Sequence, residues 1–177
     1  MTDLHPTDDA SLVVRAQRGD EVAFETLYRR HRDFVTAVAA RFGADGADAL
    51  DVLQETFLYF LRKLPSFELR AELRTFLYPV AKHTALKRKG RAARQQPLDP
   101  EDPAVANLPA KENGHTQRRR VEELVAELSD GRREVVMLRF VDGLSLDEIA
   151  EALGIPLGTV KSRLHHALRA LRAAEEG

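Results

Sequence analysis

The side chains of this sequence that could do chemistry are mostly cations and hydroxyl donors, and the chemistry open to them is recognition of phosphates and base edges. From Arg62 to Arg94, ten Lys and Arg residues stand against only Glu68 and Glu72, and the six cations from Lys82 to Arg94 have no acid between them. From Met1 to Leu61 the balance is reversed, with eleven Asp and Glu against six Arg, so a formal net charge of -1 conceals a marked asymmetry. A local basic run of this kind is an electrostatic footprint of nucleic-acid binding, although it can also serve as a solubilising face. A second group, Thr159, Lys161, Ser162, Arg163, His166 and Arg169, lies near the C-terminus. Arg163 can offer two donors to guanine, Thr159, Ser162 and His166 can meet bases or phosphates, and Lys161 suits a phosphate.

Other chemistries are poorly served. Cys is absent, which removes disulfides, thiolate nucleophiles and thiolate metal sites together. His165 and His166 are adjacent, so on a helix they diverge by about a third of a turn, and no carboxylate or Cys completes a metal site beside them. Glu122 and Glu123 read as a solvated helix face, since no pocket-like Gly, Ser or His constellation accompanies them. The expectation is a protein that is not an enzyme and needs no metal or cofactor. No apolar run reaches the length of a membrane span, and the acidic start MTDLHPTDDA lacks a secretory pattern, so a cytoplasmic protein without membrane insertion is expected.

The elements that must position these groups are helices. Asp20 can cap a helix running to Phe42 and ending at Gly43, with Phe24, Leu27, Tyr28, Val35, Val38 and Phe42 at helical spacing; a shorter helix, about Ser11 to Arg18, precedes it. The next, Ala47 to Leu64, carries Leu50, Leu53, Phe57, Phe60, Leu61 and Leu64 on one stripe before Pro65. A fourth begins near Leu73 and runs into the basic stretch, buried through Phe76, Leu77, Val80 and Ala81, with Pro79 either in its first turns or at a kink. The segment QQPLDPEDPAVANLPAKENGHT, Gln95 to Thr116, holds four prolines and has linker composition. With no strand alternation, the expected fold is all-α: two small helical domains, 1–94 and 117–177, joined by a flexible linker over 95–116.

In the second domain, Ser145 and Glu148 have capping-box spacing, Leu146, Ile149, Ala150 and Leu153 supply a buried side, and Gly154 ends that helix. The helix that follows puts Leu157, Val160, Leu164, Ala167, Leu168 and Leu171 inward, leaving Thr159, Ser162, Arg163, His166 and Arg169 outward. Two short helices joined by a tight Gly-containing turn form a helix-turn-helix, whose second helix enters the major groove; an ordinary αα-hairpin with a solvated face has the same pattern.

The stretch LSDGRREVVMLRFVDGLSLDEIAEALGIPLGTVKSRLHHALRAL resembles region four of bacterial sigma factors of the extracytoplasmic-function group, within the sigma-70 family. LVVRAQRGDEVAFETLYRRHRDFV resembles the start of sigma region two, ALDVLQETFLYFLRKL its polymerase-binding helix, and TFLYPVAKHTALKRKGR the helix that meets the minus-ten element. The resemblance implies an initiation factor that binds core RNA polymerase and both double-stranded and locally melted promoter DNA, with an anti-sigma protein as a further kind of partner. It implies that Asp51, Gln54 and Glu55 face the polymerase clamp helices. The loop Ser66 to Glu72 and the start of the next helix, with Phe67, Arg70 and Arg74, would capture an unstacked base, and Lys82, His83, Lys87 and Arg88 would hold phosphates beside the bubble. The sequence departs from the family near Phe76, where Trp is usual, near Pro79, where a polar or basic residue is usual, and at His166 and Leu168, where Arg or Lys is frequent. Two other functions fit parts of the pattern: a helix-turn-helix regulator that acts without joining polymerase, and a sigma-like decoy that binds only an anti-sigma protein.

Overall fold

A computed structural model describes residues 8–95 and 123–175 of the chain. Every regular element among them is helical, and the chain divides into two compact units between Gln95 and Gln96. The stretch read as a linker lies, beyond Gln95, outside the described residues.

The first unit contains α1 (Asp9–Gln17), α2 (Glu21–Arg41), α3 (Gly46–Lys63) and α4 (Leu73–Gln95), with a 3-10 turn over Leu64–Ser66. Local chemistry sets the starts. The Asp8 carboxylate accepts from the Ser11 amide at 2.8 Å, and that of Asp20 accepts from the Ala23 amide at 3.1 Å, each satisfying a donor that the helix cannot. Asp20 also takes Arg15 at 2.7 Å, and the Arg15 hydrogen bond holds the Asp20 carboxyl below its ordinary range. Helix α2 packs against α1, α3 and α4, and α3 packs on α4, around Leu27, Val35, Val38, Val52, Phe60, Leu73, Leu77 and Tyr78. At the outer end of α1, Asp9 meets His31 Nε2 at 2.6 Å and Arg30 at 2.5 Å. Burial opposes ionisation of Asp9, but its hydrogen bonds and charge contacts with His31 and Arg30 prevail and hold its carboxyl below the usual value.

Two expectations about the buried faces of this unit need correction. Leu50 and Leu61, placed on the buried stripe of α3, are 57 and 46 % exposed; the inward residues are Ala49, Val52, Leu53, Thr56, Phe57 and Phe60. At about 100° per residue, Leu50 and Leu61 fall well off the centre of that set, outside the reach of α2 and α4. Phe76 and Val80 are half-buried, while Leu73 and Tyr78 occupy the core. Pro79 lies inside α4 on its exposed side, so the helix continues through it and forgoes one backbone bond to the carbonyl four residues earlier.

The second unit has a helical turn over residues 123–127, then α5 (Asp130–Val136) widening into a π-type turn over Met137–Val141, α6 (Leu146–Leu153) and α7 (Leu157–Glu175). Its core holds Val135, Leu138, Leu144, Ile149, Val160 and Ala167, with α5 and α6 both packed on α7. Ile149 and Ala152 form the buried side of α6, and Leu146, Ala150 and Leu153 are half-buried. The capping box is formed: the Ser145 amide donates to Glu148 Oε2 at 2.7 Å, and the Glu148 amide donates to Ser145 Oγ at 3.2 Å. Gly154 ends α6 with φ 63°, its amide and that of Ile155 donating back to Glu151 and Ala150 at 3.2 and 3.1 Å. This left-handed residue reverses the chain at once, and a side chain there would be strained. The Pro156 carbonyl then accepts from the Thr159 and Val160 amides, starting α7 two residues after the turn.

Candidate nucleic-acid interface

Helix α7 is fixed by Val160 and Ala167, both fully buried, and the side chains on its far side are therefore presented to solvent. Lys161, Ser162, His165, His166 and Arg169 are exposed, and Thr159 is half-buried at the margin. Arg163 differs from its expected place. It lies only about 60° around the helix from Val160, is half-buried, and its guanidinium rests on Gly131 in the first turn of α5, where an added Cβ would come within 3.1 Å of it. Gly131 makes room for that approach. His165 shares the outward face with His166, a position that helical phase measured from Val160 and Ala167 identifies.

In the first unit, the residues assigned to the melted region separate into groups. Phe67 and Arg70 line an open recess with Lys63, Ser66, Glu68 and Phe76. The Phe67 ring stands edge-on to Phe60 and Phe76, with centroids at 5.2 and 4.8 Å, and Arg70 pairs with Glu68 at 2.9 Å on an exposed surface where such a pair adds little stability. His83 and Lys87, one turn apart on α4, line a groove of about 830 Å³ with Leu58, Tyr59, Arg62 and Phe76. Tyr59 and Phe76 stack in it, 6.1 Å apart and 19° from parallel, and Lys63 lies over the Tyr59 ring at 5.7 Å. Aromatic faces beside cations suit single-stranded nucleic acid, because bases stack on the rings while phosphates follow the charge.

The other three cations make internal contacts. Arg74 lies over the Phe34 ring at 5.5 Å, and Lys82 over that of Phe42 at 5.2 Å. Arg88 fastens α4 to α3, donating to Glu55 at 3.0 Å, to Asp48 at 3.1 Å and to Asp51. The Asp48 hydrogen bond, with the charge of Asp51 and the Glu55 bond, raises the Arg88 pKa further against partial burial. Asp51 and Glu55 are thus engaged within the unit, and only Gln54 of the three expected polymerase contacts stands exposed without such a tie to Arg88. Around Gln54 runs a strip that sequence periodicity assigned in part to the core: Leu50, Leu58 and Leu61, the second of them 50 % exposed. Large contiguous apolar patches on a surface are a common feature of protein-docking sites.

Each unit contains a match to a known family region. Residues 27–95 match Sigma-70 region 2, and residues 118–171 match Sigma-70, region 4. The chain is 31% identical to the RNA polymerase sigma-H factor of Pseudomonas aeruginosa over 94% of its own length and 93% of that protein's. It is 33% identical to the ECF RNA polymerase sigma-E factor of Escherichia coli K12, with 92% of each covered. The chain belongs to the extracytoplasmic-function sigma factors. Among solved structures, this sigma factor is similar to CnrH in complex with the cytosolic domain of CnrY, with a TM-score of 0.67, 27% identity, and 95% of this chain and 97% of that one covered. The fold also matches the Bartonella quintana sigma factor RpoE in complex with the anti-sigma factor NepR, with a TM-score of 0.64, 21% identity, and coverage of 86% of this sigma factor and 96% of that chain. Among the described residues of the sigma factor, no helix is long and apolar enough to cross a membrane.

Proposed function

We propose that this sigma factor joins core RNA polymerase through the outer strip of α3, reads upstream promoter duplex with α7, and holds the non-template strand in the recess and groove of its first unit as the minus-ten region opens. It acts in the cytoplasm with the polymerase, by binding and strand opening rather than by covalent chemistry. The observation that carries this reading is the stacked Tyr59 and Phe76 pair flanked by His83 and Lys87. A regulator that only bound duplex DNA through α7 would have no use for a single-strand groove in its other unit, and a decoy for an anti-sigma protein would need neither surface. An anti-sigma protein is a fitting further partner, since the CnrH and RpoE structures were both solved with proteins bound.

The division of labour on α7 gives a direct test. Replacing Arg169 with Ala should weaken holoenzyme binding to upstream duplex about equally across sequences and reduce the salt slope by about one. Ser162→Ala and His166→Ala should instead change which sequences are preferred, by about 1 to 3 kcal/mol at the affected position. Binding of a randomised duplex library by the reconstituted holoenzyme separates the two effects. Unchanged sequence preference in every α7 variant would remove that helix from promoter reading.

A further inference from the structure

Helix α1 has no part in the surfaces above, yet its last residue reaches across to the strand-holding loop. The Gln17 side-chain amide donates to the Leu64 carbonyl at 2.9 Å and to the Phe67 carbonyl at 2.7 Å, partners 47 and 50 residues away. One NH2 carries two hydrogens, so a single nitrogen can satisfy both carbonyls. The Leu64 carbonyl also accepts from the Phe67 amide at 3.1 Å, so the turn is closed on itself and then tied to α1 at both of its ends.

The consequence falls on Phe67. Its ring is wedged against Phe60 and Phe76 and forms one wall of the recess, so the position of its backbone sets the shape of that wall. The other end of α1 borders the rest of the same loop: Asp8, Asp9 and Ala10 line a cleft together with Leu69, Arg70, Ala71 and Glu72. Asp9 keeps that end in place through His31 and Arg30. A nine-residue helix thus backs the loop along its length.

We infer that α1 preorganises the strand-holding loop and that Gln17 is a positioning residue for capture of the unstacked base. The inference rests on the assignment of the recess to strand capture made above. A loop already in its binding shape loses less freedom when DNA arrives, which is how a residue that never touches the strand can govern its affinity.

The test uses holoenzyme made from the full chain and core polymerase, with a fluorescent single-stranded DNA oligonucleotide selected from a random pool by the wild-type holoenzyme. Gln17→Glu keeps the side chain's size but turns an acceptor toward two carbonyls. It should lower oligonucleotide affinity about tenfold while leaving core association, upstream duplex binding and helix content unchanged. Gln17→Lys returns N–H donors and should restore affinity, and the recovery should persist at high salt, where a new phosphate contact would fade. If Gln17→Glu binds the oligonucleotide like wild type while Phe67→Ala does not, the positioning role is wrong and strand capture stands. If neither variant loses affinity, or the wild type selects no oligonucleotide, both ideas fall. A parallel loss of core association or helix content would make Gln17 a general folding residue and overturn the inference.

Discussion

Phe60→Ala is expected to destabilise the first unit by about 3 to 5 kcal/mol, the range for removing a fully buried aromatic ring. Phe60 is inaccessible to solvent and meets Phe24 at 6.0 Å, Phe57 at 6.5 Å, Phe67 at 5.2 Å and Phe76 at 5.8 Å between centroids. Each such pair contributes about 0.5 to 1.5 kcal/mol beyond area burial, and one substitution removes all four. For a unit of this size the melting temperature should fall by roughly 12 °C or more. The effect also reaches function, because Phe67 and Phe76 wall the recess and both lean on Phe60. Thermal unfolding of the full chain, followed by circular dichroism, reads the change. A loss below about 1 kcal/mol would mean that the cavity closes by repacking and that the aromatic cluster does not hold the recess in shape.

The second large effect is expected from the outer strip of α3. Leu58→Glu combined with Leu61→Glu alters two side chains that are already half in water, so the fold should change by no more than about 0.5 kcal/mol for each. If the strip is the docking surface, each leucine contributes about 1 to 2 kcal/mol of interface energy, and the pair should weaken association with core polymerase by about a hundredfold. Association is measured by anisotropy of labelled chain titrated with core. Affinity within threefold of wild type would exclude this face. Asp51→Arg is a less clean probe, since it would set a cation against Arg88 and weaken the tie between α3 and α4 that Arg88 also makes through Asp48 and Glu55.

What could be read from the sequence, and what could not, divides by the range of the forces involved. Asp20 as a cap, the Ser145 and Glu148 box, and Gly154 as a stop were legible because each acts on its own helix end within a few residues. The all-helical class followed from periodicity, and the family from four matching stretches in order. The phase of a stripe was less secure. Leu50 and Leu61 suit a core by type, and their exposure is decided by where α2 and α4 sit against α3. The basic residues show the same limit. A run of cations predicts a positive surface, but nothing local to Lys82, Arg74 or Arg88 reveals that Phe42, Phe34 and the α3 carboxylates receive them. Arg163 was read as outward because it is polar, whereas Gly131 on another helix offers it a place. Gln17 carried no signal at all, its partners being two backbone carbonyls far along the chain.

The central claim is that one polypeptide, through its two helical units, recruits polymerase, selects a start site and opens the duplex there. Run-off transcription with purified core polymerase and a library of promoter fragments measures all three together. The account predicts discrete transcripts from a subset of fragments that share upstream and minus-ten sequences, present only when the chain is added. Transcripts from no fragment, with no association between the chain and core, would contradict it.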